Sequence, residues 1–117
     1  MKIILQVKIK IAVCDTAYSL YHKLISIFSK NFNKAFKLLI NNFDGIEHTG
    51  RITYHKRELP YKGIRKFSEI TFDEAESFVK AMYFPPFKGA MFELNNGSKI
   101  EILHISELSK YKTTIGR

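Results

Sequence analysis

Apolar and polar residues alternate along the first part of the chain. Six apolar residues share one parity, namely Ile3, Leu5, Val7, Ile9, Ile11 and Val13. The other parity carries polar and basic residues, including Lys2, Gln6, Lys8 and Lys10. Because successive side chains of a strand point to opposite faces, this pattern predicts a strand over residues 3–13 with one covered face.

The hydrophobic period becomes helical after Asp15. Either Asp15 or Thr16 can cap a helix here, because both side chains can accept a backbone N–H bond in the first turn. Apolar positions then recur every three or four residues: Ala17, Leu20, Tyr21, Leu24, Phe28, Phe32, Ala35, Phe36, Leu39 and Phe43. This spacing predicts one amphipathic helix over roughly residues 16–41. We interpret the basic positions opposite the apolar stripe as a solvated face: Lys23, Lys30, Lys34 and Lys37.

A turn-rich segment follows the long helix. Asn-Asn, Asp-Gly and Thr-Gly pairs lie between residues 41 and 50, and they are expected to end the helix and begin a linker. Arg51–His55 is expected to form a short strand. Residues 56–66 are basic and are interrupted by Pro60 and Gly63.

A second, shorter helix is predicted over Phe72–Tyr83. Thr71 and Glu74 have capping-box spacing, and apolar residues follow at helical intervals. Two consecutive prolines at 85 and 86 cannot continue a helix, because neither supplies a backbone N–H group.

The last element is predicted to be a β-hairpin with a three-residue loop, Asn95-Asn96-Gly97. With Gly97 in the left-handed bulge position, Phe92 pairs with Ile100 and Glu93 with Lys99, so both faces of the hairpin are consistent. A two-residue turn would instead set Phe92 against Glu101. Together the elements predict an α+β fold: an N-terminal strand and long amphipathic helix, then a short helix and a C-terminal β-hairpin.

Composition is that of a folded domain with a basic surface. The chain has 117 residues, is 45% hydrophobic and carries a formal charge of +8, which suits an anionic ligand, nucleic acid or simply a soluble surface. Cys14 is the only cysteine and is expected to be a small buried side chain in its reduced form. Because no apolar run approaches the roughly 20 residues that span a bilayer, we expect a cytoplasmic protein with no membrane partner.

Catalytic and metal-binding constellations are absent from the sequence. The histidines have no metal-ligand spacing, so no metal site is predicted: His22, His48, His55 and His104. The acidic residues Asp73, Glu74 and Glu76 fall at the start of the second helix, where they complement the helix dipole. No residue can be assigned a catalytic role.

Two segments could bind a ligand. The first interleaves basic and aromatic residues: Arg51, Lys56, Arg57, Lys62, Arg65 and Lys66 with Tyr54, Tyr61 and Phe67. Such a segment can hold single-stranded nucleic acid or a nucleotide, and it can equally be a solvated connection. The second is Tyr83-Phe84-Pro85-Pro86-Phe87, which could present an aromatic ring to a base, although packing between helix and hairpin is the favoured interpretation.

Several short motifs together resemble those of the formyltransferases that use formyl-tetrahydrofolate. Ile3-Ile4-Leu5-Gln6 and Asp15-Thr16-Ala17-x-x-Leu20-Tyr21-x-Lys23-Leu24 resemble the end of the family's catalytic domain. His55-Lys56-Arg57 and Phe84-Pro85-Pro86-Phe87-x-Gly89-Ala90 resemble the C-terminal segment of the branch that formylates nucleotide-linked amino sugars. That branch is related to the transfer-RNA formyltransferases.

The resemblance implies a division of the chain and a set of expectations. Residues 1–45 would end the catalytic domain, 46–66 would be a basic linker, and 67–117 would be a small C-terminal segment. The family's catalytic Asn, His and Asp correspond to positions before Met1, so the chain would be a fragment or subunit without catalytic residues. The complete enzyme would use formyl-tetrahydrofolate, although this chain would hold no cofactor, and would act in lipopolysaccharide biosynthesis.

The resemblance also implies that the first strand and the long helix would pack on a sheet of the catalytic domain that this chain does not contain. The chain alone is therefore expected to expose apolar surface on Ile9, Ile11, Leu24, Phe28 or Phe32. It is also expected to form a homodimer through its C-terminal hairpin or to associate with a catalytic half.

The expected substrate is a thymidine-diphosphate-linked amino sugar. The diphosphate is assigned to Lys56, Arg57 and Lys80, and the base to Phe84 or Phe87. Two other functions stay open: a non-catalytic dimerisation module, and a basic nucleic-acid module, which the few predicted strands disfavour because an oligonucleotide-binding barrel needs five.

Overall fold

The computed structural model describes residues 2–116 and confirms an α+β fold. Within that range, three α-helices and five strands follow in the order β1 (Lys2–Ile3), α1 (Ala17–Ile40), β2 (Ile46–Glu47), β3 (Ile64–Lys66), α2 (Phe72–Met82), β4 (Ala90–Glu93), β5 (Lys99–Ile102) and α3 (Ile105–Leu108). The strands form a two-stranded sheet, β1-β2, and a three-stranded sheet in the order β3-β4-β5.

The predicted long helix is confirmed to within one residue at each end. A reciprocal pair of hydrogen bonds starts α1: the Ser19 backbone N–H donates to Thr16 Oγ1 at 3.1 Å, and the Thr16 N–H donates to Ser19 Oγ at 2.9 Å. Thr16 is therefore the N-cap. The two bonds satisfy donors that the first turn of a helix otherwise leaves unpaired.

The predicted capping box of the second helix is also present. Thr71 Oγ1 accepts the Glu74 N–H at 3.2 Å, and the Glu74 carboxylate accepts the Thr71 N–H at 3.0 Å. The helix ends at Met82, one residue before the predicted end and just before the two prolines. Its apolar stripe packs on the three-stranded sheet through Ala75, Phe78, Val79 and Met82.

The hairpin has the predicted register. Phe92 lies opposite Ile100 and Glu93 opposite Lys99 in the antiparallel pair β4–β5. Gly97 has a φ of 86°, which glycine adopts without steric cost, so the bulge position is confirmed.

Strand β3 was not predicted, and it completes the sheet. It pairs in parallel with β4, and α2 forms the crossover between the two strands. All buried hydrophobic side chains of the described residues lie between Phe67 and Ile115. The largest of them include Phe67, Phe92 and Ile102. The hydrophobic core therefore belongs entirely to the C-terminal half of the chain.

The predicted strand over residues 3–13 is wrong in extent. Only Lys2–Ile3 is a strand, because its described partner, β2, offers two residues for pairing. Beyond it the alternation has no sheet to cover it, and Val13 is 90% exposed. The chain then turns, with the Ala12 carbonyl accepting the Asp15 N–H at 3.0 Å.

Two smaller predictions are also wrong. Arg51–His55 forms no strand, because every residue of the segment is exposed and no strand among residues 2–116 lies alongside it to share hydrogen bonds. Cys14 is exposed, since the turn that it occupies lies outside the core.

Helix α1 projects from the core and elongates the molecule. The radius of gyration is 19.2 Å, whereas a compact chain of this length has about 13 Å. No residue of α1 is buried, and its N-terminal end is held by the Tyr18 N–H, which donates to the Tyr83 carbonyl at 3.0 Å. Within residues 2–116, no helix combines the length and apolar character needed to cross a membrane.

Candidate functional site

The segment between α2 and β4 forms a tight turn rich in aromatic rings, Tyr83–Phe87, which we call the aromatic–proline turn. The Phe87 N–H donates to the Phe84 carbonyl at 2.9 Å, which closes the turn. The prolines restrict its backbone, so the positions from which the aromatic side chains project are set before any ligand arrives.

Phe84 packs against the start of α1. Its ring lies edge-on to Tyr21 at 5.1 Å and to Tyr18 at 5.7 Å between centroids. Edge-to-face pairs of this kind contribute about 0.5–1.5 kcal/mol beyond the area that they bury. Phe84 therefore serves as a packing residue that joins α1 to the C-terminal core, whether or not it also contacts a ligand.

Phe87 has the opposite environment. Its side chain is 70% exposed, and its ring lies 6.1 Å from Phe84 at a tilt of 45°. The exposed ring is open to stacking by a ligand, and the restricted backbone lowers the part of the entropy cost that comes from ordering the turn. Of the two aromatic residues assigned to the base, Phe87 is the accessible one.

A cavity of about 280 Å³ adjoins Phe87 between the turn and the end of the hairpin. It is lined by Tyr83, Pro85, Pro86, Phe87, Lys88, Glu101, Leu103 and His104. The Glu101 carboxylate accepts the Gly89 N–H at 3.1 Å. Lys88, Glu101 and His104 were not predicted as site residues, although the hairpin register brings the two segments that carry them side by side.

The cations assigned to the diphosphate are not gathered at this cavity. Lys80 lies on the last turns of α2, where its Nζ donates to the Val13 carbonyl at 3.0 Å. Lys56 and Arg57 lie in the exposed segment 51–59, and within residues 2–116 the structure gives them no ion pair. The structure brings Phe84 and Phe87 together, and it leaves the three cations apart from them.

Part of the basic segment 46–66, which is predicted to be a linker, is engaged within the protein. The Arg65 guanidinium lies 3.8 Å from the centre of the Tyr61 ring, a cation–π contact. Lys66 Nζ lies 4.0 Å from a Glu93 carboxylate oxygen across the β3–β4 pair. These contacts favour a structural role for Arg65 and Lys66.

Asp15 organises the entry to α1. The Lys23 ammonium donates to its carboxylate at 2.6 Å, the Ala12 N–H at 2.8 Å and the Ser19 hydroxyl at 2.9 Å. These bonds to the ionised form, with that of Lys23 the strongest, lower the pKa of Asp15 to about 2. Asp15 is thereby held as a carboxylate that fixes the turn before the helix.

The described residues show a surface cavity beside Phe87 and no constellation of catalytic groups. Among residues 2–116, no group of three His, Cys, Asp or Glu side chains is arranged to hold a metal ion. What the site around Phe87 offers is an accessible aromatic face, a lysine and an anchored carboxylate. Such a set can stack, attract an anion and accept hydrogen bonds.

Comparison with known proteins relates the chain to sugar N-formyltransferases. The GDP-perosamine N-formyltransferases of Brucella melitensis biotype 1 and Brucella abortus are each 28% identical to it over 113 residues, or 95% of the chain. The chain spans 41% of the length of these relatives. No protein-family model matches it. The similarity agrees with the resemblance drawn from the sequence motifs.

Proposed function

We propose that this chain is the part of a sugar N-formyltransferase that helps to hold a nucleotide-linked amino sugar, with Phe87 stacking on the base. The observation that carries the proposal is the alignment of 95% of the chain with two GDP-perosamine N-formyltransferases. The accessible ring of Phe87 on a rigid turn supports it, because base stacking needs such a surface.

The role of these residues is to bind and orient the substrate. Formyl transfer forms a bond between the formyl carbon and the sugar nitrogen and breaks the bond between that carbon and a nitrogen of the folate. The proton that the sugar amine loses passes to that folate nitrogen. The residues proposed here act at the nucleotide end. Lys56, Arg57 and Lys80 would contact the diphosphate, which requires Lys80 to release the Val13 carbonyl and the exposed segment 51–59 to move toward the cavity. Formyl-tetrahydrofolate supplies the formyl group in this proposal, and we assign no residue of the chain to it.

The nucleotide is either thymidine diphosphate, as the motifs predict, or guanosine diphosphate, as the names of the relatives suggest. A dimerisation role stays open as a second function, since β5 is an edge strand of the described sheet that could pair with another copy. A nucleic-acid module is less well supported, because the described sheet around the core has three strands and an oligonucleotide-binding barrel needs five.

Binding is tested by NMR titration of the chain with GDP-linked and dTDP-linked 4-amino sugars. We expect weak binding, in the millimolar range because a single stacking contact contributes only about 1–3 kcal/mol. Lys56→Ala combined with Arg57→Ala should weaken this binding. Lys110 is an exposed lysine on the C-terminal turn, and Lys110→Ala should leave the binding unchanged. Binding of transfer RNA with no response to either sugar nucleotide would contradict the proposal.

Formyl transfer is tested in a chimera in which these residues replace the aligned region of the Brucella melitensis relative. We expect the folded chimera to formylate a GDP-linked amino sugar, and its Phe87→Ala variant to do so with a raised KM. The 117-residue chain alone should show no turnover, because no general base and oxyanion donors can be identified within residues 2–116. Turnover by the isolated chain would show that the catalytic groups lie among these residues.

A further inference from the structure

Glu101 is anchored beside the aromatic–proline turn with part of its carboxylate free. It lies on β5, on the hairpin face opposite the core, and one oxygen accepts the Gly89 N–H at 3.1 Å. Among residues 2–116 no other hydrogen bond or ion pair involves the Glu101 side chain. A carboxylate has about four lone-pair sites, so most of the accepting capacity of Glu101 is unused and open to a ligand in the cavity that it lines.

Glycine at position 89 leaves the space that this arrangement uses. A Cβ atom at this position would lie 2.7 Å from Leu103 Cδ2 and 3.3 Å from the Ile102 carbonyl oxygen. The missing side chain lets the residues before β4 approach β5 closely. That approach brings the Gly89 N–H to the Glu101 carboxylate and fixes the carboxylate in the cavity wall that also contains Phe87 and Lys88.

We propose that this cavity selects a guanine base. Phe87 stacks on the ring, the free Glu101 oxygen accepts hydrogen bonds from its N1–H and N2–H groups, and Lys88 lies near the first phosphate. This assignment rests on the proposed function for the class of ligand, a nucleoside diphosphate. It extends that function by naming the base and the residue that distinguishes it.

The choice of guanine follows from hydrogen-bond chemistry. A carboxylate only accepts hydrogen bonds, and guanine presents two adjacent donors, N1–H and the N2 amine. Adenine and cytosine place an acceptor nitrogen beside their amine, whereas thymine and uracil set their single N3–H between two carbonyl oxygens. These acceptors would face the negative charge of Glu101 and be repelled, so the same residue favours guanine and disfavours the other bases.

The experiment compares the binding of GDP, IDP, ADP and dTDP to the whole chain by NMR titration. We expect GDP to bind about tenfold more tightly than ADP or dTDP, and IDP, which lacks the 2-amine, to lie between them. Phe87→Ala should weaken all four by a similar factor, because stacking is tolerant of the base.

Glu101→Gln is the decisive variant. The Gly89 N–H should retain the amide oxygen, so that the NH₂ group faces the ligand and repels guanine donors. We expect about tenfold weaker GDP binding, with ADP and dTDP unchanged or improved. Glu93→Gln is the matched control, since Glu93 lies on the same face of the hairpin outside this cavity. Circular dichroism verifies that each variant is folded.

The outcomes separate this inference from the proposed function. Equal binding of all four nucleotides, or a GDP preference that survives in folded Glu101→Gln, overturns the guanine assignment, even if an amino-sugar nucleotide binds. A GDP preference that Glu101→Gln removes upholds the assignment. In that case the proposed function alone fails if a GDP-linked amino sugar binds no more tightly than GDP and the chimera transfers no formyl group.

Discussion

Asp15 shows how one side chain sets the geometry of a much larger element. Its carboxylate accepts bonds from the residues on both sides of the turn and from Lys23, two turns into α1. A carboxylate near a helix N-terminus is also favoured by the helix dipole. The sequence leaves Asp15 and Thr16 as alternative caps, and the structure separates their roles. Thr16 caps the helix, and Asp15 stabilises the turn before it.

The stability that Asp15 contributes is expected to depend on pH. Its folded pKa of about 2 lies below the ordinary value of 3.8, so its contribution is complete above about pH 4 and is lost as the pH falls through about 2. Asp15→Asn should therefore lower the melting temperature at pH 7, and the difference from wild type should shrink as the pH falls toward about 2 and vanish below it. Thermal denaturation at several pH values measures this. Asp44→Asn, in the exposed turn after α1, is the control, and a pH-independent difference would contradict the expectation.

Two phenylalanines of the C-terminal half should separate stability from binding. Phe92 is fully buried between the sheet and α2, so Phe92→Ala should cost about 3–5 kcal/mol of unfolding free energy. Phe87 is exposed, so Phe87→Ala should change it by no more than about 0.5 kcal/mol. Urea denaturation measures both. A large loss of stability in Phe87→Ala would mean that Phe87 is a packing residue, and it would remove the basis for its role in binding.

At the scale of elements, the sequence was informative where the determinants are local. The bounds of α1 and α2 and the register of the hairpin were predicted to within about one residue. Capping residues specify the start of a helix, and a glycine turn specifies the register of a hairpin, from a few neighbouring positions. The sequence did not predict strand β3 or the short length of β1. Strand formation depends on which distant segment lies beside the strand and pairs with it. Alternation in residues 3–13 indicates a strand, but it cannot supply the partner.

The hairpin loop offers a direct test of the local argument. Gly97 has positive φ, and a Cβ atom added there would have no neighbouring atom within 4 Å, so a substitution meets backbone strain without a clash. Gly97→Ala should therefore cost about 1–2 kcal/mol, the cost of a left-handed conformation, and Gly97→Asn should cost less because asparagine tolerates it. Chemical denaturation compares the two. Equal losses would indicate that the loop does not depend on this conformation.

The residues of the candidate site differ in the same way: some are specified by a short motif, and others come together only through packing of distant segments. Phe84 and Phe87 were found from a short motif, whereas Glu101 and Lys88 come together only through the close approach of two segments at Gly89. The predicted register placed those segments in the right order. It could not show that the Glu101 carboxylate would accept the Gly89 N–H, because that bond depends on the close approach of the two segments beside Leu103.

At the scale of the whole molecule, the chain combines a packed half with an unpacked one. The core of the described residues lies between Phe67 and Ile115, whereas α1 buries no residue and carries an apolar stripe along its length. Phe28, Phe32 and Phe36 form a ladder on this stripe, with ring centroids 5.8 and 6.3 Å apart. The predicted exposure of the helix face is thus confirmed, and Phe28 is 67% exposed.

Exposed apolar surface of this extent should drive the chain to self-associate. Exposure of the apolar stripe to water is unfavourable. Pairing with a second copy would bury it and stabilise the pair by about 25 cal/mol per Å² of apolar surface buried. We expect sedimentation to give a mass that rises above 13.6 kDa with concentration, and a hydrophobic dye to bind. Phe28→Glu combined with Phe32→Glu should shift the chain to monomer and reduce dye binding. Ser29→Glu, an exposed polar position of the same helix, should do neither, and a wild-type monomer without dye binding at all concentrations would refute the expectation.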